Sequence, residues 1–176
     1  GDGEFSDWIE LFNPGGVSLD LNGFYLTDDP ANLTKWSFPD MTMGAGSYLV
    51  VFASGKDRAL AGMELHTNFS LNRDGEFLAI VAPDGLSIVE SFDPGFPEQE
   101  SDLSFGRAPP GAAVSEVGFM SPPTPGAENL DVLFLGLVGD TQFSVDRGFF
   151  ETSFRVELTC DTPGASIRYT LDGSKP

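Results

Sequence analysis

The sequence predicts an all-β protein, a sandwich or barrel of short strands. Two observations carry that prediction, and the near-absence of helical periodicity is a third. Turn signals recur at short intervals: Asn13-Pro14-Gly15-Gly16, Asn22-Gly23, Asp28-Asp29-Pro30, Gly44-Ala45-Gly46, Asp74-Gly75, Asp84-Gly85, Asp93-Pro94-Gly95, Pro163-Gly164 and Asp172-Gly173. Glycine supplies positive φ there, proline presets φ, and Asn or Asp closes the turn through its own side chain. Between the turns lie runs of Val, Ile, Phe, Tyr and Trp too short for anything but strands.

In chain order, strands are expected at Asp7–Phe12, Val17–Leu21, Phe24–Thr27, Lys35–Phe38, Ser47–Ala53, Glu76–Ala82 and Ser87–Phe92. Val17, Leu19 and Leu21 alternate with Ser18 and Asp20, the pattern of a half-buried strand. Tyr48–Phe52 and Phe77–Val81 are continuous apolar runs, which fit strands covered on both faces. Lys56–Met63 is the single helix candidate, one or two turns carrying Ala59, Leu60 and Ala61. The stretch Asp93–Gly111 holds Pro, Glu and Gly with few apolar anchors, and Ser121-Pro122-Pro123-Thr124-Pro125-Gly126 is the strongest breaker. A first domain is therefore expected to end near Asn129, giving 1–129 and 130–176. The second segment opens with Val132–Leu137. In it, Phe154, Val156, Leu158 and Cys160 alternate with polar residues, as do Ile167, Tyr169 and Leu171. The loop Asp161–Ala165 joins those two strands like a hairpin. About 45 residues fall short of the roughly 100 of an immunoglobulin-like domain, so this second domain is expected to be partial.

Composition narrows the function classes. At roughly 150 residues per domain, 176 residues make one domain, or one and a part. Apolar residues are 40% of the chain and include 16 Phe, enough for a core. No run approaches the roughly 18 apolar residues of a membrane span, so no membrane insertion is expected. Gly1-Asp2-Gly3-Glu4 reads as the middle of a longer chain. Nine basic residues against 27 acidic ones give a net charge of −18. Nucleic-acid binding needs clustered Lys and Arg to displace counterions, so no nucleic-acid partner is expected. The charge favours solubility, cation attraction and tolerance of salt. A single cysteine, Cys160, cannot form an intrachain disulfide.

The motifs then point to a family. Asp7-Trp8-Ile9-Glu10-Leu11-Phe12-Asn13 resembles the W-I-E-L signature of bacterial lamin-tail domains. Leu21–Asp29, Lys35-Trp36-Ser37-Phe38-Pro39, Ser47–Gly55 and His66–Leu71 through Gly75–Leu78 are similar to the segments that follow it in that family. Ser104-Phe105-Gly106-Arg107 and Pro122–Asn129 are similar to its closing motifs. The resemblance spans about 1–129 and implies an immunoglobulin-like β-sandwich. The strand that normally precedes the W-I-E-L motif is not matched, so its place is expected to be unpaired or filled by a linker or a neighbouring chain. Pro163–Pro176 resembles the chitobiase/β-hexosaminidase C-terminal-like domain, an accessory β-sandwich in such proteins. The pairing implies one piece of a large bacterial surface or secreted protein.

Catalytic chemistry has few carriers. A Ser-His-Asp arrangement needs a histidine, and His66 is the single one, in a polar strand-like setting that suits a structural or surface role. No G-x-S-x-G, H-E-x-x-H or phosphate-binding glycine loop occurs. Cys160 alternates with apolar neighbours and reads as a buried small hydrophobe. Among 27 carboxylates some pair always falls near glycosidase spacing, which carries no information. Calcium takes six to eight oxygens, commonly from turns. Asp28 and Asp29 are the candidate pair for Ca²⁺, and solvated turn carboxylates are the alternative. Two Asn-x-Ser/Thr sequons occur, at Asn32 and Asn68, a pattern short enough to arise by chance.

Aromatic residues are the candidate ligand-binding set: Trp36, Trp8 and Phe38, as a stacking platform for a glycan or as ordinary packing. Trp36 and Phe38 share one strand face. In the first strand Trp8, Glu10 and Phe12 share one face, and Ile9 and Leu11 are expected to point into the core. Trp8 then lies outside or under a loop, and a covered Glu10 needs a backbone or Arg partner. The expectation is a non-catalytic module of an exported bacterial protein, extracellular or at the cell surface. Its role would be adhesion, spacing or contact with a surface glycan or protein. The alternatives are an accessory part of a larger enzyme, glycoside hydrolase or kinase-like, and lamin-type scaffolding with DNA contact, which the charge opposes. Exposed edge strands could also pair two copies as a homodimer.

Overall fold

In a computed structural model, residues 5–109, 117–130, 133, 134, 136 and 138–175 are described. Among these the protein is all β, with no helix. The chain separates into two compact units, 1–134 and 135–176.

The first unit is an immunoglobulin-like β-sandwich. One layer is a three-stranded sheet, β1 (Asp7–Phe12), β6 (Tyr48–Ala53) and β7 (Leu65–His66), in the order β1-β6-β7. The other has four strands, β3 (Tyr25–Thr27), β4 (Trp36–Ser37), β8 (Leu78–Val81) and β9 (Ile88–Phe92), in the order β4-β3-β8-β9. β1 and β6 pair antiparallel with Ile9 opposite Val51, and β6 and β7 pair parallel with Val51 beside Leu65. That register puts Ile9, Val51 and Leu65 on one face, because alternate residues of a strand share a side. They meet Leu26, Trp36, Phe38 and Leu78 in a single core cluster. Leu11 packs against it, as the alternation of β1 predicts. The opposite face of the four-stranded sheet carries a smaller cluster of Phe77, Ala79 and Val81 with Tyr25 and Leu33. The sheet is thus covered at β8 on both sides, as its continuous apolar run predicts.

The strand expected over Val17–Leu21 shrinks to β2 (Leu19–Asp20), paired with β5 (Thr42–Met43). Val17 is 76% exposed and Leu19 40%, while Leu21 is fully buried. Asn13 explains the shortening. Its side-chain amide donates to the carbonyls of Val17 (2.9 Å), Met43 (3.2 Å) and Gly44 (2.9 Å), so a buried amide takes acceptors that a longer ladder would use.

Lys56–Met63 forms no helix, which corrects the sequence expectation. Arg58 exchanges both backbone hydrogen bonds with His66, each 2.9 Å, and is held extended. An eight-residue helix is marginal in water on its own, so tertiary pairing overrides its propensity. The stretch with few apolar anchors holds β10 (Ser104–Arg107), which pairs antiparallel with β11 (Val117–Met120) beyond it. Phe105 lies 5.1 Å from Phe119 and 5.5 Å from Phe92, so three aromatic rings anchor it to the sandwich.

In the second unit β12 (Gln142–Phe143) pairs with β13 (Leu158–Thr159). Of the two strands expected there, Phe154–Cys160 keeps only β13 and Ile167–Leu171 forms none, so Asp161–Ala165 closes no hairpin and β13 pairs instead with β12, which lies in neither. Tyr169 is 68% and Leu171 94% exposed: alternating apolar residues form a ladder only where a partner covers them. Of the strand expected over Val132–Leu137, three residues lie outside the described set; Phe134 bridges Phe119.

Candidate functional site

The outer face of the β1-β6-β7 sheet gathers the most chemically varied side chains of the first unit. Residues directly opposite in an antiparallel pair lie on the same side. The register sets Trp8 opposite Phe52, Glu10 opposite Val50 and Phe12 opposite Tyr48, with His66 beside Phe52. Phe12 stacks on Tyr48 at 4.6 Å with 20° between planes, and Phe52 stacks on His66 at 5.2 Å and 27°. Two aromatic pairs thus flank a central carboxylate. Trp8 is half-buried on this face, as the alternation of β1 predicts.

Glu10 has the backbone partner its covered position requires. Its carboxylate accepts a hydrogen bond from the Gly126 amide, 116 positions away in the chain. Burial among aromatic neighbours pushes the Glu10 carboxyl above its usual range, and the Gly126 bond offsets part of that rise. Tyr48 is pushed up first by partial burial, then by the charges of Glu128 and Glu10. Glu128 therefore faces the same ring from the 121–129 segment. That segment is itself folded: Ala127 N–H donates to the Thr124 carbonyl at 3.0 Å, and the Asn129 amide donates to the Arg107 carbonyl at 2.8 Å. Gly126 takes φ +83°, a conformation that glycine adopts without strain.

Trp36 and Phe38 stand elsewhere. Trp36 is 2% and Phe38 4% exposed, and their rings meet edge to face at 5.0 Å in the core. Sugar stacking needs an open ring face, and of the two roles considered for these side chains their burial favours packing. The pattern already placed them on one face; which face is buried was decided by the opposing sheet. The Trp36 indole N–H is buried and finds no hydrogen-bond acceptor among the described residues.

Asp28 and Asp29 diverge. The Asp28 carboxylate pairs with the Lys35 ammonium, whose Nζ also lies 5.4 Å from the Phe69 ring centroid. Asp29 Oδ1 accepts the Ala31 N–H at 2.8 Å and closes a turn. Fully buried Thr27 organises this loop: its hydroxyl accepts the Asp29 N–H at 3.0 Å and lies 2.8 Å from the Asn32 carbonyl. One carboxylate is thus committed to a lysine and the other to a turn. Among the described residues no three His, Cys, Asp or Glu side chains converge on a metal-sized site. This geometry does not suit an ion that takes six to eight oxygens.

His66 is 3% exposed, with Nδ1 2.8 Å from the Ser54 hydroxyl. The pair links the end of β6 to β7 and fixes the ring against Phe52. Its burial leaves the ring as structure, the role the polar strand-like setting suggested. Ser54 carries no sequence signal for this contact beyond following β6. Cys160 is half-buried, not buried, and its thiol donates to the Gly139 carbonyl at 3.2 Å. Asn13, the three-carbonyl clamp, was legible as the last residue of the W-I-E-L motif and the first of a turn, not as a clamp.

Comparison with known proteins accords with this architecture. Residues 145–176 match the chitobiase/beta-hexosaminidase C-terminal domain model. No curated protein and no solved structure gives a significant match. Residues 1–94, more than half of the chain, match the lamin tail domain model, and with its β-sandwich built on the Trp8–Asn13 motif the chain belongs to the lamin tail domain family.

Proposed function

We propose that this chain is a non-catalytic β-sandwich module of an exported bacterial multidomain protein, serving in adhesion or spacing. One observation carries the reading. Two side chains of the first unit that could do chemistry hold structure instead: His66 is locked between Ser54 and Phe52, and Asp28 is paired with Lys35. What faces solvent is a rigid set of turns on an acidic scaffold of net charge −18. Such a surface keeps a protein dispersed in salt and presents loops to a partner. Its domains then lie outside the cell or at its surface, and the catalytic part of any parent enzyme lies in other domains.

A glycan is the second reading, and Trp8 supports it. Of the three aromatic residues considered for stacking, Trp8 alone is half-buried and not buried, on the same strand face as Glu10, a hydrogen-bonding group. Affinity electrophoresis through gels of soluble polysaccharides, with Ca²⁺ and with EDTA, tests both. Retardation by one glycan that Trp8→Ala abolishes establishes sugar binding at the outer face. Dependence on Ca²⁺ would demand an ion site other than the Asp28–Asp29 loop. No retardation across the panel supports adhesion to protein or spacing.

A further inference from the structure

We propose that Glu10 is an acid-tightened latch holding the 121–129 segment against the outer face of the β1–β6 pair. The geometry is specific. Glu10 projects from the middle of β1 between Trp8 and Phe12, and its carboxylate receives the Gly126 N–H. The segment it holds is pre-folded by the Thr124–Ala127 turn and tied at its far end by Asn129 to the Arg107 carbonyl. A short strap with one fixed end and one ionisable fastening follows from these contacts.

The fastening is unusual in its surroundings. Gly126 of the strap bonds Glu10; Trp8 and Phe12 flank it on β1, and Tyr48 of β6 lies near both Glu10 and the strap's Glu128. Among the described residues no Lys or Arg pairs with Glu10. A carboxylate between aromatic rings without a cation loses hydration that one amide bond restores only in part. Glu128 acts on the shared neighbour Tyr48 from the strap side.

Linkage fixes the sign. With the strap lifted, Glu10 is open to water and titrates in the usual carboxylate range. With the strap closed, burial raises it, and that effect exceeds the opposing pull of the Gly126 bond. The closed form therefore binds the proton more tightly, so protons favour closure. The gain is complete below the ordinary carboxylate range and is lost as pH rises through the closed-state value. A neutral carboxyl still accepts from Gly126 through its carbonyl oxygen, so protonation relieves the burial cost without breaking the contact.

Hydrogen exchange at the Gly126 amide of the full chain, corrected for intrinsic rates between about pH 4 and 7, tests the latch. Protection is expected to rise severalfold on acidification, with a midpoint matching the Glu10 carboxyl titration by NMR. Glu10→Gln keeps an acceptor oxygen and cannot ionise, so its protection at pH 7 should equal or exceed the acid value and be flat with pH. Glu128→Gln should retain the pH dependence, assigning it to Glu10, and Glu10→Ala should lose Gly126 protection at every pH. Wild-type protection that is flat or falls on acidification overturns the proposal. So does a Glu10→Gln variant less protected than wild type at pH 7. The wild-type titration decides the question even where a variant fails to fold.

Discussion

Trp36 and Trp8 carry the same side chain into opposite environments, and the contrast sets the residue-scale expectations. Trp36 is 2% exposed and touches the core of both sheets; Trp8 is half-buried on an outer face. Removing a core tryptophan costs its transfer energy and leaves a cavity. Trp36→Ala should therefore lower the unfolding free energy by about 3–5 kcal/mol. Trp8→Ala should cost clearly less, and urea unfolding of the two variants compares them directly. Asp84 supplies an ionisable counterpart on the surface. Its carboxylate accepts from the Ser87 hydroxyl, from Ser87 N–H (2.8 Å) and from Leu86 N–H (2.9 Å), which together lower its pKa. A lowered value means the turn gains stability above the ordinary Asp range and loses it as pH falls through the folded value. The Ser87 hydroxyl is the largest cause, so Ser87→Ala should move the Asp84 titration, followed by NMR, back toward the ordinary range.

At the scale of elements, backbone contact decides more than side-chain pattern. The turn before β8 passes the 95–97 segment so closely that a Cβ on Gly75 would lie 2.1 Å from the Phe96 carbonyl oxygen. Phe96 N–H in turn bonds the Glu76 carbonyl at 3.0 Å. Gly75 also holds φ +88°, so both space and conformation demand glycine. Gly75→Ala should destabilise by more than about 1 kcal/mol, since alanine is strained at positive φ even before the clash. Gly16→Ala is the control: nothing lies within 4 Å of its added Cβ, and its φ falls outside the strained range. Thermal melts that shift equally for both would contradict the close approach. The same dominance of backbone pairing explains Lys56–Met63, where two hydrogen bonds between Arg58 and His66 replace a helix.

Across the whole molecule the two units differ in how much apolar surface they cover. In the first, Leu21, Leu26, Val51 and Val81 are at most 1% exposed. In the second, Phe143 is 64%, Phe149 108% and Leu171 94% exposed, and the described strands are one pair of two residues each. An isolated two-stranded pair is marginal in water. Native-state hydrogen exchange should then give opening free energies of about 0–1 kcal/mol across 138–175. Amides of β6 and β8 should approach the global value, on the order of 5–15 kcal/mol. Protection in 138–175 comparable to β6 would show that this unit has a core of its own. The net charge of −18 acts on both units alike, as a matter of solubility and of partners.

The sequence by itself determined the β class, the positions of β1, β6, β8 and β9 to within two residues, the inward face of β1 and the need of a covered Glu10 for a backbone or Arg partner. These rest on properties contiguous in the chain: period-two alternation, turn residues and continuous apolar runs. It also carried the family, because the Trp8–Asn13 motif and the segments after it are local strings. Tertiary structure decided the rest. It chose Gly126 for Glu10 and three distant carbonyls for Asn13, and it buried Trp36 while leaving Trp8 partly open. It gave Asp28 to Lys35 and Asp29 to its own turn. It also denied the second unit the ladder that its alternation encodes. The physical reason is common to all of these. A buried polar group needs a partner and an apolar face needs a cover, and both come from parts of the chain that local pattern does not connect.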